Sequence, residues 1–464
     1  MNPPASFMAL PAAASRDAPP AQPADEQLRE IAERSVESAR RQGAQQCAAR
    51  SYRVRDVNVQ WRDGKLEQVG EATTRGVSLQ LYVDGRYSSI SSSDLRREAL
   101  DSFIADGVAM TRSLAPDPFR SLPDPSLYAG QAQLDLRLED ADYLSLSPER
   151  RRGYAQKMEQ EARSVEGAGD ILSVTTGFND NRSEGYRVHS NGFAGSRAET
   201  SFWTWAQVTV KDDDGRRPED WAATGVRHVA ELPDVAEVGR EAARRALSRL
   251  GSRKGDSAVL AMAVDNRSAG RLLQALTGPL HASSLQQKRS FLEGRLGLRI
   301  GSPLLRLSDA PLRVEGFGSR LYDGEGIAAK PLRLFADGVL ESYYVDTYYG
   351  KKLGMPPTTG SVSNLVLEAG GKSATELLAE MGEGILVTGF LGGNSNGTTG
   401  DFSLGVQGFR VRAGEVAEPV AEMNISGNLS DLMQRLVAVG SDPYPYSAIL
   451  SPTLVFEGVQ FAGN

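Results

Sequence analysis

The side chains best suited to nucleophilic, acid–base or metal chemistry are scarce in this sequence: one cysteine, Cys47, and three histidines, His189, His228 and His281. No two histidines lie at the close spacing by which one helix offers a pair of metal ligands, and a single cysteine can form neither an internal disulfide framework nor a Cys-rich zinc site. Cys47 falls near the end of the first helical segment and reads as buried and inert. His189, beside Ser190-Asn191-Gly192, reads as a structural residue at a strand end. His228 follows Arg227 with no acid or nucleophile beside it, and His281 reads as a solvated or hydrogen-bonded loop histidine. The run Asp212-Asp213-Asp214-Gly215 lacks the alternate spacing and closing Glu of a calcium loop and reads as a charged turn.

The most distinctive segment is GGNSNGTTGDFSLGVQGFRV, residues Gly392–Val411. Its glycines allow positive φ at several positions. A phosphate cradle would need a Gly-Lys-Ser/Thr ending and a following helix N-terminus, whereas this loop runs into a strand. It therefore reads as a structural or peptide-lining loop, with Asn394, Asn396, Thr399 and Asp401 as candidate lining residues.

The elements that must position these groups follow from hydrophobic period. Leu28, Ile31, Ala32 and Ala39 trace a helical stripe that stops at Gly43. Val57, Val59 and Trp61, then Val77, Leu79, Leu81 and Val83, alternate as strands, with Asp63-Gly64 and Asp84-Gly85 as hairpin turns. Asp94 is expected to cap a helix carrying Leu95, Ala99, Phe103 and Ile104, and Ser147-Pro148 to open another. Strands are expected from Ile171 and over Phe202–Val210, and a helix from Asp234 to Leu250. A strand over Ala258–Val264 leads into a helix, Asn266–Gly278, striped by Ala269, Leu272, Leu273 and Leu276. Further on, Asp337-Gly338 and Ala413-Gly414 read as hairpin turns, and Ala374–Met381 and Leu429–Val439 as helices. Mixed strands and helices without βαβ alternation imply an α+β fold: antiparallel sheets with flanking helices N-terminally and a mostly β C-terminal domain. The expected organisation is a Pro/Ala tail over 1–24, an N-terminal α+β region over 25–228 with a subdomain break near 115–145, and a C-terminal domain over 229–464.

Composition narrows the partners. The 464 residues carry 52 basic and 59 acidic side chains, for a net charge of −7. That gives no basic footprint for nucleic acid and no attraction to anionic membrane. The N-terminus lacks the basic start of an export signal, and no segment reaches the roughly 20 apolar residues of a membrane helix. A cytoplasmic location is expected.

In order along the chain, TGDFSLGVQGF (Thr399–Phe409), Ser426-Gly427-Asn428-Leu429 and the closing Ala462-Gly463 resemble the signature elements of the TldD/PmbA family, labelled modulators of DNA gyrase. Upstream, Lys288–Leu292, Phe317 with Asp323-Gly324-Glu325-Gly326, Asp337–Leu340, Lys352-Leu353-Gly354, Arg75-Gly76-Val77 and Ser91–Leu95 fall in the family's order. The resemblance spans roughly residues 25–464 and implies a metalloprotease scaffold. In the TldD branch, zinc is held by His-Glu-x-x-x-His on a helix and a Cys near the C-terminus. Two imidazoles and a thiolate leave one coordination position open, and the Glu can serve as general base. Matching register places Gln274 and Ala275 at the His-Glu positions, Pro279 at the second His, and the distal Cys position within Ser447–Pro452, where there is no cysteine.

The resemblance therefore implies a zinc-less, TldE-like subunit with no catalytic or metal-binding residue of its own. Zinc is expected in a TldD-like partner, and an unfolded or extended peptide as substrate, held by strand addition. The alternatives are a stand-alone homodimeric, chaperone-like peptide holder and a hydrolase with a new site.

Overall fold

The computed structural model describes residues 24–463, so the expected Pro/Ala tail lies outside the described residues up to position 23. Helix α1 (Ala24–Arg41) buries the predicted stripe Leu28, Ile31, Ala32 and Ala39. It ends where Gly43 takes φ +101°, a conformation costly for any side-chain-bearing residue. The chain then enters β1 (Gln46–Arg62), β2 (Lys65–Val83) and β3 (Arg86–Ser92). Both connecting turns are Asp-Gly, and all four residues have positive φ, as the right-handed twist of tight hairpins demands. Strands β4 (Ile171–His189), β5 (Ala194–Val210) and β6 (Glu219–Val226) complete an antiparallel sheet in the order β3-β2-β1-β4-β5-β6.

Helices cover one face of this sheet. At one end, α1 and α2 (Arg97–Arg112) pack Val36, Leu100, Ile104 and Val108 against Ala49, Leu79 and Leu81. At the other, α3 (Pro148–Ala162) and α4 (Val235–Leu247) pack Met158, Val238 and Ala242 against Val174, Ala206 and Val208. Ser147 and Asp234 cap these two helices by accepting from Arg150 N and Ala236 N. Helix α4 lies beyond residue 228 yet packs on this first sheet. Helix α2 departs from expectation at its start. Arg96, not Asp94, occupies the N-cap; the Asp94 carboxylate instead accepts from Arg96 N at 3.1 Å while the chain is still extended after β3.

The C-terminal part is mostly β. Strands β7 (Ala258–Val264), β12 (Gly384–Phe390), β14 (Asp401–Arg412), β15 (Glu415–Asn428) and β18 (Leu454–Ala462) pair in a ring, because β12 bonds both β7 and β14. Strand β13 (Asn394–Ser395) adds to β14, and β16 (Leu436–Val439) to β18. A smaller sheet runs β10 (Val339–Leu340), β9 (Leu332–Ala336), β8 (Leu307–Asp309), β11 (Leu365–Leu367), β17 (Ile449–Leu450). One apolar core joins both sheets to α5 (Asn266–Thr277). Helices α6 (Ala282–Gln286), α7 (Thr347–Leu353), α8 (Ala374–Met381) and α9 (Leu429–Gln434) complete the chain. The helix expected over Leu429–Val439 thus stops at Gln434. Leu436 and Val439 are drawn into pairing with Phe456 and Leu454, where closing the sheet outweighs local helix preference. The fold class is α+β, as the sequence implies.

Candidate functional site

Helix α5 occupies the centre of the C-terminal domain. Asp265 caps it by accepting from Ser268 N at 2.8 Å. Its apolar stripe, Ala269, Leu272, Leu273 and Leu276, is wholly buried. Arg267 donates to Asp220 Oδ1 at 2.9 Å and to the Trp221 carbonyl, tying the helix to β6 of the first sheet. Arg245 and Arg249 meet the same carboxylate. Burial opposes ionisation of Asp220, but Arg267 and Arg245 outweigh it and hold the carboxyl below its usual range.

Gln274 is exposed on this helix, Ala275 is half-buried against the core, and Pro279 is buried in the turn that ends it. The Pro279 carbonyl accepts from Ser290 Oγ at 2.6 Å. The distal segment lies alongside: a Cβ built on Gly270, one turn before Gln274, would stand 3.4 Å from Ile449 Cγ2. The glycine-rich loop closes over the same helix. Arg271 donates to the carbonyls of Gly392 and Gly393 at 3.0 and 3.3 Å, and the Gly397 carbonyl accepts from Phe291 N at 3.0 Å. A Cβ on Gly397 would lie 3.6 Å from Pro279 Cγ. Helix, distal segment and loop therefore converge.

Within the loop, Thr399 donates to Asp401 Oδ2 at 2.7 Å, while Asn428 donates to the Thr399 carbonyl and to Asp401 Oδ1 at 2.9 and 3.1 Å. The Thr399 and Asn428 hydrogen bonds hold the Asp401 carboxyl below its usual range. Asn396 Oδ1 accepts from Thr398 N, and Asn394 lies exposed on β13. The run Gly393-Asn394-Ser395-Asn396-Gly397 has Gly-x-Ser-x-Gly spacing, but its serine lies on β13, which leads through a loop into strand β14 and not through a sharp turn into a helix. Ser395 makes no hydrogen bond to a histidine among the described residues.

The donor set does not fit Zn²⁺. An amide at 274, a methyl at 275, a ring with no lone pair at 279, and hydroxyl and alkyl groups across Ser447–Pro452 offer neither imidazole, thiolate nor carboxylate. Among the described residues no three or more His, Cys, Asp or Glu are grouped to share a metal ion.

The histidines are held singly. His189 is buried, with Nδ1 3.1 Å from Tyr128 Oη and the ring packed on Phe193; burial and then Arg187 push it down to about 3, so it is neutral. His228 Nε2 lies 3.0 Å from the Arg137 carbonyl oxygen. His281 stacks on Tyr344 with ring centroids 5.0 Å apart. Cys47 is buried on β1, and that burial pushes its thiol up to about 11, which leaves it un-ionised. The Asp212 turn folds on itself through Gly215 N, and Asp212 Oδ2 accepts from Gly251 N.

A second polar region has no local signature in the sequence. The face of the first sheet opposite its helices carries Arg50 and Tyr52 on β1, Gly185 and Arg187 on β4, and Gly195, Arg197, Glu199 and Trp203 on β5. The segment 317–325 covers it. Phe317 packs on Trp203 at 4.8 Å, and Tyr322 packs on Phe193 at 4.9 Å. Glu325 Oε2 accepts from Thr347 N and Oγ1 at 2.8 and 3.0 Å, yet burial first, and then Asp323, push its carboxyl up to about 7.

The chain matches three consecutive family models: PmbA/TldA metallopeptidase domain 1 over 47–111, the central domain over 141–250 and the C-terminal domain over 258–463. It is 29% identical to the metalloprotease PmbA of Escherichia coli O157:H7, across 88% of this chain and 90% of that one. A crystal structure described as a modulator of DNA gyrase, from Bacteroides thetaiotaomicron, superposes with a TM-score of 0.91 at 39% identity, covering 94% of this chain and 99% of the other. TldE from Thermococcus kodakarensis shares the fold, with a TM-score of 0.82 at 18% identity over 93% of this chain and 99% of its own. On these matches along its described length, the chain belongs to the PmbA/TldD metallopeptidase family.

Proposed function

We propose that this chain is a zinc-free, TldE-like subunit that completes a TldD-like metalloprotease and helps hold unfolded or extended peptide without hydrolysing it alone. One observation carries the reading. Gln274 and Ala275 lie on α5, Pro279 lies in the turn that ends it, the Ser447–Pro452 segment packs on the same helix at Gly270, and none of these residues offers an atom suited to zinc. The supporting geometry (the Asp265 cap, the Arg267 tie and the loop held by Arg271) keeps the helix in place without its chemistry. Asn394, Asn396, Thr399 and Asp401 line the peptide track in this reading, because their loop closes over α5. The TldE name of a structural neighbour and the metalloprotease names of the relatives agree with a subunit role.

The test is co-expression with a TldD-like protein carrying His-Glu-x-x-x-His. The expected result is a stable complex whose chelator-sensitive peptidase activity is absent from either chain alone. Stoichiometric zinc in the isolated chain, with proteolysis that stops on chelation, overturns the proposal. A self-associating chain that ignores the partner and binds peptide would place it instead with stand-alone holders.

A further inference from the structure

We propose that Arg50, Arg187 and Arg197 form a binding site for an oxyanion, a carboxylate or phosphate group, on the helix-free face of the first sheet. Arg50 and Arg187 are direct cross-strand partners, so their side chains leave the sheet on the same side. Arg197 pairs with Gly185, two residues before Arg187, which sets it on that same side as the diagonal neighbour of Arg187. Two glycines make the room. A Cβ on Gly185 would lie 3.6 Å from Arg50 Nε, so the Arg50 side chain passes over a bare backbone. A Cβ on Gly195 would lie 2.7 Å from the Tyr322 ring, which roofs the group.

The balance of charge favours an anion at this face. Arg50 and Arg187 are half-buried, and neither makes a hydrogen bond or ion pair with any described residue; what offsets their charges acts at longer range, from Tyr322, Glu199 and Tyr52 on Arg50, whose guanidinium lies 5.8 Å from the Tyr52 ring, and from Tyr322, Asp323 and Glu325 on Arg187. Among the described residues, no carboxylate comes within ion-pair distance of Arg50 or Arg187, and Arg197 alone of the three arginines has a carboxylate partner. Glu199 pairs with Arg197 at 2.9 Å and Arg227 at 3.2 Å. Asp323 accepts from Glu325 N, Ile327 N and Thr359 Oγ1. Glu325 is turned to Thr347 and is only partly ionised near neutrality. Burial and mutual repulsion both work against the charges on Arg50 and Arg187. A guanidinium left without an acceptor is costly, and its planar fork matches the two oxygens of a carboxylate or phosphate. A cleft of about 430 Å³, lined by Arg197 and Tyr322 with Leu136 and Arg320, adjoins the group on the Arg197 side.

The experiment titrates the purified full chain, in low-salt buffer free of oxyanions, with inorganic phosphate and separately with acetate, by calorimetry and thermal melting. Saturable binding is expected, with a rise in Tm of about 3 °C when phosphate reaches a hundredfold excess over Kd. Arg187→Met should melt higher than wild type without anion, because repulsion is relieved, and should lose the phosphate response by at least about tenfold in affinity, while Arg187→Lys retains part of it. Arg50→Met is the second variant, and Arg306→Met, an exposed residue paired with Asp337, is the control that leaves the response intact. Acetyl-hexaalanine as free acid and as amide separates the sources. A response to the acid alone identifies a peptide carboxylate; phosphate binding with both peptides inert identifies a free anion. Equal phosphate responses from wild type and Arg187→Met overturn the proposal. So does a lower melting temperature or loss of folding in both methionine variants, which would make these arginines structural.

Discussion

Replacing Glu325 by glutamine tests the electrostatics between the two domains most directly. Glu325 is half-buried in the segment that covers the first sheet, and its carboxyl is pushed from an ordinary 4.5 up to about 7, chiefly by burial. A carboxyl raised on folding binds its proton more tightly in the native state. Its contribution to stability is therefore complete below the unfolded value and is lost as pH rises through the native one. Between pH 4.5 and about 7 the wild-type protein should lose up to about 3 kcal/mol from this group, at roughly 1.4 kcal/mol per pKa unit. Solvent reaching a half-buried site and the nearby Arg187 should reduce that to about 1–2 kcal/mol. Glutamine keeps an oxygen for the two Thr347 donors and cannot ionise. Glu325→Gln should match wild type at pH 4 and exceed it by about 1–2 kcal/mol at pH 8, read by denaturant unfolding at both pH values. If the variant is less stable than wild type at pH 8, or if the difference is the same at both, Glu325 is a paired carboxylate and the reasoning fails.

Other substitutions probe packing and the site. Asp180 forms a buried ion pair with Arg151, 2.6 Å from Nε and 3.1 Å from Nη2, so Asp180→Ala should cost about 3–5 kcal/mol by stranding the guanidinium, measured by urea unfolding. Gly239→Ala, which in an open helix would gain about 1 kcal/mol, should instead destabilise by about 1–3 kcal/mol, because a Cβ there runs into the Met158 carbonyl where α4 crosses α3; thermal melting decides the sign. Asn428→Ala removes both the cap of α9 and the bridge to Thr399 and Asp401, and should cost about 1 kcal/mol while speeding amide exchange across 392–401.

The parts of the fold legible in the sequence are those whose pattern is local. Asp63-Gly64 and Asp84-Gly85 announce hairpins because few residue pairs tolerate positive φ twice in succession. The α5 stripe shows because its period is helical and Asp265 caps it. Leu436–Val439 misleads because Leu-Val-Ala-Val continues a helical pattern as readily as it forms a strand, and only the distant β18 settles the matter. The arginine face is invisible for a stronger reason. Arg50, Arg187 and Arg197 lie on three strands, and arginine alternating with glycine reads as an ordinary wet face until the segment bearing Tyr322 arrives from the other domain to cover it.

The candidate zinc position divides in the same way. That Gln274, Ala275 and Pro279 are poor donors is a matter of residue identity, and the sequence suffices for it. That Ile449 and Gly397 lie against the same helix is a matter of tertiary contact. The contrast bears on function. Asp265 caps α5, Arg267 ties it to Asp220, and Arg271 holds the glycine-rich loop, yet positions 274, 275 and 279 carry only an amide, a methyl and a proline ring. In the proposed reading, this surface contributes shape and backbone contacts to an assembly whose chemistry comes from another chain.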